Sequence, residues 1–312
     1  MVDLYKCIDG GSKYCPCHLA DNDSCISCSI LRGEKFCDCN WNGVCIFYEY
    51  RMNNYKSKEQ RKIFEGYVEK KMNLSERVIL LKIKVEKELI DQLNRFGSYV
   101  FIKGNSDIHY FEAPMSIFDL DENHIYIVYQ EIGVKTKKLN EKLNLGIRGP
   151  YWNGIIGINN IDSLANSNCA IITRGIGQSS IGIPLKKLAE KNNEIVIFLD
   201  KGKINLNYID LITDVSNLKI IELDVLSEEG QKQIEDCLIN NQINLVFSAG
   251  ADVLHRKISN IIKNINKEIK FAATNNNLIC CGEGICGSCT RKMKNGKRIK
   301  SCKAIINPNL IY

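Results

Sequence analysis

Fifteen cysteines limit the fold more than any other feature of the chain, because they are not spread along it. Eight lie in residues 7–45 and five in residues 280–302, with only Cys169 and Cys237 between. The first group is Cys7, Cys15, Cys17, Cys25, Cys28, Cys37, Cys39 and Cys45, which includes one C-x2-C pair and two C-x-C pairs. A segment so rich in thiols has too little apolar sequence for a core of its own, so it needs metal to fold. Ligand type alone suits zinc or an iron–sulfur cluster, and both stay open at this point. His18, beside Cys17, is read as a surface histidine.

The metal reading depends on a reducing compartment, where disulfides rarely persist. The longest unbroken apolar run is five residues, as in Ile195–Leu199, whereas a membrane-crossing helix needs about 20. Met1-Val2-Asp3-Leu4-Tyr5-Lys6-Cys7 has no apolar stretch after a basic start, so no secretory signal is expected. The expected location is the cytoplasm, with no membrane partner. A net charge of +6 invites a nucleic-acid reading. Its position argues otherwise: residues 1–50 hold four Lys or Arg against seven Asp or Glu, and residues 285–303 hold seven Lys or Arg and no acid. The basic tail compensates an anionic centre or forms a docking rim for an acidic electron carrier.

At 312 residues the chain has room for two or three domains. Residues 51–75 mix Lys, Glu and apolar residues, with Ile63, Tyr67 and Val68 near helical spacing, and are read as a linker helix. From residue 76 to 157, β-branched and aromatic runs such as Arg77–Val85, Tyr99–Ile102 and His124–Tyr129 predict a small β-barrel. From 158 to 275, apolar strands at Cys169–Ile172, Ile195–Leu199, Leu218–Ile221 and Asn244–Phe247 alternate with helices over Ser180–Lys191, Ser227–Asn240 and Asp252–Asn266. This alternation predicts a Rossmann-like parallel sheet covered by helices. The expected fold class is therefore multidomain, α+β and α/β, with a cysteine-rich head (1–50) and a cluster module (276–312) at the ends.

The tail carries the strongest chemical signal. Cys281, Cys286 and Cys289 stand at C-x4-C-x2-C, and Cys302 follows after twelve intervening residues, the plant-type [2Fe–2S] arrangement. Structural zinc more often shows paired C-x2-C knuckles. Three turns elsewhere are weaker. Thr173-Arg174-Gly175-Ile176-Gly177 ends the first parallel strand, where glycines let a dinucleotide phosphate approach the backbone. Asp200 closes the next strand, where an acid can bind a ribose hydroxyl, and Ser248-Ala249-Gly250 marks a third strand-to-helix turn. In the barrel, Pro114, Met115 and Ser116 precede a strand. Gly133 and Thr136 open a helix whose amides can hold a flavin pyrophosphate. Each of these is otherwise a plain turn.

Their order along the chain resembles the electron-transfer subunit of dihydroorotate dehydrogenase, within the ferredoxin–NADP reductase superfamily. The small subunit of NADH-dependent reduced ferredoxin:NADP oxidoreductase is similar. The resemblance covers about residues 76–312 and implies an FAD-binding barrel, an NAD(P)-binding domain and a [2Fe–2S] cluster serving a partner flavoprotein or ferredoxin. On that basis Pro114, Met115 and Ser116 line the isoalloxazine, Gly133 and Thr136 hold its pyrophosphate, Gly175 and Gly177 form the nicotinamide-side loop, and Gly250 lies in the turn facing it. Ala113 stands where an arginine is common in the family, Gln178-Ser179-Ser180 replaces a Gly/Ala-Pro loop, and the usual Gly-Pro is absent at Ala251. The family has no obligatory counterpart to residues 1–50. The expected function is an NAD(P)H-linked oxidoreductase subunit for electron transport, with no acid–base residue of its own. The alternative is a non-enzymatic zinc-binding interaction protein with an empty Rossmann-like domain.

Overall fold

Between residues 51 and 73, where the sequence predicts a linker helix, the chain instead builds a strand. The computed structural model describes residues 6–39, 41–212, 215 and 218–312; the reading of Met1–Tyr5 as lacking a signal lies outside these. Helix α1 (Ile46–Met52) ends early, and strand β1 (Ile63–Asn73) follows. Phe64, Gly66 and Val68 face inward while Ile63, Glu65 and Tyr67 face solvent. That period of two marks a strand, and the Lys and Glu on its outer face imitate helical composition.

By contact, residues 1–62 and 277–306 form one unit, and residues 63–276 and 307–312 form another. Head and cluster module, expected as separate domains, are thus combined, and the last six residues belong elsewhere.

In the larger unit, β1 is joined by β2 (Val78–Lys84), β3 (Tyr99–Gly104), β4 (Ala113–Ser116), β5 (Asp119–Leu120), β6 (His124–Gln130) and β7 (Asn144–Tyr151). They form an antiparallel half-barrel in the order β4-β3-β7-β1-β2-β6-β5. Registers such as Phe64↔Ile147 and Val68↔Ile83 keep the apolar set on one face. There Leu81, Val100, Ile102, Ile127 and Leu145 pack with Leu89 and Leu93 of helix α2 (Lys87–Leu93). Helix α3 (Val134–Asn140) lies between β6 and β7. The barrel therefore runs from Ile63 to Tyr151 rather than from 76 to 157.

The second sheet comprises β8 (Ile155–Ile156), β9 (Asn168–Arg174), β10 (Glu194–Asp200), β11 (Lys219–Glu222), β12 (Leu245–Ala249) and β13 (Lys270–Thr274). Around it lie α4 (Ile158–Asp162), α5 (Gly182–Glu190), α6 (Glu228–Asn240) and α7 (Asp252–Ile265). The strand order is β11-β10-β9-β12-β13-β8. Five strands are parallel, the four expected and β13, which the sequence reading did not include; β8 corrects the all-parallel reading by pairing antiparallel with β13 through Ile155 and Ile156. Two residues are too short a run to read as a strand from sequence. Chain direction across the sheet reverses between β9 and β12, the switch point at which ligands bind in open α/β sheets. At Gly182, the first residue of α5, a Cβ would stand 1.7 Å from the Phe118 carbonyl oxygen, so glycine lets the helix press against the barrel. Among the described residues, no helix is long and apolar enough to cross a membrane.

The smaller unit has a meagre core, in which Cys15 and Cys28 pack with Ala20, Leu31 and Ile46. Its N-terminal and tail segments join through backbone bonds, Ile8 N–H to Lys303 O and Ile305 N–H to Lys6 O, both 2.8 Å. The tail adds a hairpin of β14 (Thr290–Lys292) and β15 (Arg298–Lys300). Four charges, three of them buried, close the joint. The Asp9 carboxylate accepts from Arg61 and Lys303, and Glu283 Oε2 accepts from the same two cations, at 3.3 and 2.7 Å. The side chains of Arg61 and Lys303 are 1% exposed and that of Asp9 is 2% exposed.

Two outcomes follow from this packing. Gly182→Ala, which helix propensity alone would favour by about 1 kcal/mol, is expected to cost about 3 kcal/mol or more through its clash with Phe118. Gly133→Ala, with open space around its Cβ, should be near neutral, and denaturation midpoints of the two variants compare them. Lys303→Met leaves Asp9 and Glu283 one cation short and should destabilise the smaller unit by about 3–5 kcal/mol. The pH profile carries the same signature. Burial opposes ionisation of Asp9, but Lys303 and Arg61 hold its carboxyl below the ordinary value. Its contribution is therefore present above the unfolded pKa of about 3.9 and lost as pH falls through the folded one. Burial likewise opposes the charge on Lys303, and Asp9 and Glu283 outweigh it, raising its pKa. That contribution is complete below about pH 10.4 and lost as pH rises through the folded value. Wild-type stability should be flat between these limits, and unfolding followed across pH would show the plateau lost in Lys303→Met.

Candidate functional site

Both glycine turns of the second sheet lie at its carboxyl edge, beside the switch point. Gly175 takes φ +54°, and at Gly177 a Cβ would meet the Ala249 carbonyl at 2.3 Å, so the loop after β9 lies against the turn after β12. Gln178 fixes that loop from inside: its amide donates to the carbonyls of Gly175 and Leu206, and its oxygen accepts from Tyr208 N–H. Thr173, fully buried at the end of β9, has a hydroxyl without a hydrogen-bond partner, an orphan that a nucleotide could satisfy. Asp200 is less free than the sequence suggests. Its Oδ2 accepts from Arg174 Nε at 2.8 Å and its Oδ1 from Gly202 N–H at 2.7 Å. Gly250 donates its N–H to Thr274 Oγ1 at 3.3 Å.

Sequence reading missed a polar network beside this edge. Fully buried His255 pairs through Nδ1 with Ser248 Oγ at 2.8 Å and through Nε2 with Thr274 Oγ1 at 3.1 Å and Asn276 Nδ2 at 2.9 Å. The ring of Tyr312 packs edge-on against it, centroids 5.4 Å apart. Only the spacing of His255 beside Leu254 and Ile258 on α7 was visible in sequence, and that reads as core.

On the barrel, Pro114 is exposed, Met115 buried and Ser116 half-buried. Ser180 and Ser116 bring their hydroxyls within 3.2 Å, joining β4 to the loop after β9. Pro114, Phe101 and Arg148 form one cross-strand row. Arg148 lies over the Phe101 ring at 4.4 Å and pairs with Glu112 at 2.7 Å. It is a cation that the sequence reading did not single out; register alone brings it beside Pro114. Thr136 differs from expectation: its hydroxyl accepts the amides of Ile132 and Gly133, at 3.0 and 3.1 Å, and donates to the Gly133 carbonyl. Those groups are used to cap α3, while the space beside Gly133 is open.

In the smaller unit, the four tail thiols come together. Cys289 and Cys302 are buried, their sulfurs 3.2 Å apart. Side-chain hydrogen bonding with Cys302 lowers the thiols of Cys281 and Cys289 to about 4 and about 6. The Cys302 thiol is raised by its hydrogen bonding with Cys281 and Cys289. Glu283 N–H reaches Cys281 Sγ at 3.3 Å, with Gly282, Gly284 and Gly287 at positive φ shaping the loop. Burial raises Cys286, which has Cys281 as its thiol neighbour, and Cys280 is exposed. These donors fit an iron–sulfur centre, which needs thiolates and backbone N–H groups turned to sulfur. Among the described residues, no three His, Cys, Asp or Glu side chains already stand in ligating geometry for one ion. The head cysteines do not converge on one point; they line two cavities. A larger cavity of about 660 Å³, lined by Asn168, Glu194 and Asn241, opens at the amino edge of the parallel sheet, away from both glycine turns.

No family model matches the chain. Over 194 residues it is 25% identical to the electron transfer subunit of dihydroorotate dehydrogenase B (NAD(+)) from Clostridium acetobutylicum, a span covering 61% of this chain and 74% of that protein. The structure of NADH-dependent reduced ferredoxin-NADP oxidoreductase, described for flavin-based electron bifurcation, superposes with a TM-score of 0.60 at 18% identity, covering 78% of this chain and 86% of that one. A ferredoxin-NADP+ reductase from Plasmodium falciparum with 2'P-AMP gives a TM-score of 0.51 at 14% identity over 67% of this chain and 94% of that one. The chain thus has the ferredoxin–NADP reductase-like fold and, as its motifs imply, is similar to the dihydroorotate dehydrogenase electron-transfer subunit.

Proposed function

We propose that the chain is an electron-transfer flavoprotein subunit that passes electrons between NAD(P)H, FAD and a [2Fe–2S] cluster, to or from a partner oxidoreductase subunit. The convergence of Cys281, Cys286, Cys289 and Cys302, at plant-type spacing and hydrogen-bonded to one another and to backbone amides, carries this reading. When bound, FAD exchanges an electron pair with the nicotinamide and the cluster carries single electrons.

The chain's own groups supply the setting. The four tail thiols would hold the irons, and the lowered thiols of Cys281 and Cys289 favour the thiolate form that binds metal. Pro114, Met115, Ser116 and Gly133 would line the flavin, with Arg148 the nearby cation in place of the arginine missing at Ala113. Gly175, Gly177 and Gly250 would admit the dinucleotide backbone, and the buried Thr173 hydroxyl offers it a hydrogen bond. Arg291, Lys292, Lys294, Lys297, Arg298 and Lys300 keep the β14–β15 hairpin cationic and suit an acidic partner surface, whereas Lys303 is withdrawn into its ion pairs. The name of the curated relative, an electron transfer subunit, favours a partner that completes the reaction.

The rival reading, a zinc-binding interaction protein, draws on Thr136 and Asp200, whose polar atoms already have partners within the fold. Anaerobically purified protein separates the two. Flavin absorbance, about two irons bound to the tail and a low-temperature paramagnetic signal on reduction are expected. A colourless zinc protein would sink the proposal. Cys286→Ser should abolish the tail signal and leave the flavin bands, and NADH or NADPH should reduce the bound flavin in both proteins.

A further inference from the structure

The fold sorts the eight head cysteines into two sets of four. Cys7, Cys15, Cys17 and Cys25 line one small enclosed cavity with Tyr14 and Leu19. Cys28, Cys37, Cys39 and Cys45 line a second, of about 290 Å³, with Trp41 and Phe47. No cysteine lines both. The division cuts across the sequence, because the single C-x2-C pair, Cys25 and Cys28, gives one thiol to each cavity.

Burial raises the thiols of Cys7, Cys15, Cys17, Cys25 and Cys28, and backbone N–H groups act against that rise. Backbone N–H groups two residues ahead reach Cys7 from Asp9, Cys17 from Leu19, Cys25 from Ser27, Cys28 from Ile30 and Cys37 from Cys39. The same i+2 bond serves Cys281 and Cys286 in the tail. Cys169, buried in β9, has burial as its sole perturbation. Such amides stabilise the anionic sulfur that binds metal. Cys37 and Cys39 hold their sulfurs 3.9 Å apart, close to the separation of about 3.8 Å expected for two sulfur ligands, each about 2.3 Å from one tetrahedral ion. Two other candidate ligands of the head are already engaged: His18 Nδ1 pairs with Ser57 Oγ at 3.1 Å, and Asp9 is held by Arg61 and Lys303.

We propose that the head carries two separate four-thiolate centres for a soft metal, one on Cys7, Cys15, Cys17 and Cys25 and one on Cys28, Cys37, Cys39 and Cys45. Each is a closed set of four sulfurs without a position for substrate, the arrangement of structural zinc and of iron–sulfur clusters. With so small a core between them, the centres hold the head in shape.

The test is metal content of the full chain purified without oxygen, counted apart from the tail iron. Cys15→Ser with Cys25→Ser should remove the metal of one head centre, as should Cys37→Ser with Cys39→Ser. Cys25→Ser with Cys28→Ser straddles the sets and should remove both. Loss of only one centre in that straddling variant would overturn the partition. Alkylation of the folded wild type gives a reading that no variant can confound: the eight head thiols should be protected while Cys280 reacts. Reactive head thiols, or no metal beyond the tail irons, would overturn the proposal. Zinc and iron in the head both support it, one ion per set in the first case and several irons per set in the second. The paramagnetic signal of the tail is read separately, so loss of either conclusion leaves the other standing.

Discussion

Asp9, Arg61, Glu283 and Lys303 form the joint on which the smaller unit depends. Two anions and two cations are removed from water together, so their charges cancel and no ion is left without a counter-charge. Each belongs to a different stretch of chain, and three of these stretches also carry cysteines. Asp9 follows Cys7, Glu283 sits inside the loop between Cys281 and Cys286, and Lys303 adjoins Cys302. The ion pairs thereby fix the thiol-bearing loops relative to one another. Gly284, at φ +73° with Leu19 and Lys303 each 3.1 Å from an imagined Cβ, shows how tightly the loop seats there. Such a joint contributes geometry more than net stability, because desolvation offsets much of the attraction.

In the larger unit, backbone proximity plays the corresponding role. Gly177 lets the loop after β9 approach the turn after β12, and Gly182 lets α5 reach the barrel at Phe118. A side chain at either position would push apart surfaces that have to converge at the switch point. The Ser116–Ser180 contact crosses the same junction. Close approach, rather than a charged cluster, therefore shapes this edge, and the charges present, Arg174 with Asp200 and Arg148 with Glu112, are already paired. A ligand arriving there would either join those pairs or exchange with them.

Most of the strands and the helices α5, α6 and α7 were legible because periodicity follows burial, and burial follows from the apolar residues themselves. The tail thiols were legible because four ligands to one centre impose spacing. What escaped had long-range causes. Strand β1 alternates buried and exposed residues, but Lys and Glu on its outer face looked helical. Arg148 becomes relevant only through its register with Phe101 and Pro114. Asp200 and Thr136 are typical ligand residues by type and position, yet the fold uses both internally. The grouping of the head cysteines was hidden for a similar reason: proximity in sequence suggests that Cys25 and Cys28 act together, whereas in the fold each lines a different cavity.

Charge segregation along the chain explains why head and tail share a unit. Residues 1–50 are acidic by three, with seven acids against four bases, and residues 285–303 carry seven bases and no acid. Apart in water, each segment would repel itself, and thiolates would add to the negative charge of the head. Brought together, the acidic head offsets the basic tail, and one base, Lys303, crosses fully into the interior to meet Asp9. Metal on the head thiols would act in the same direction by neutralising anionic sulfur beside Asp9 and Glu49. The unit is thus balanced by cations of two kinds, lysine and arginine from the tail and metal in the head. The sparse apolar core of Ala20, Leu31 and Ile46 leaves little else to hold it together.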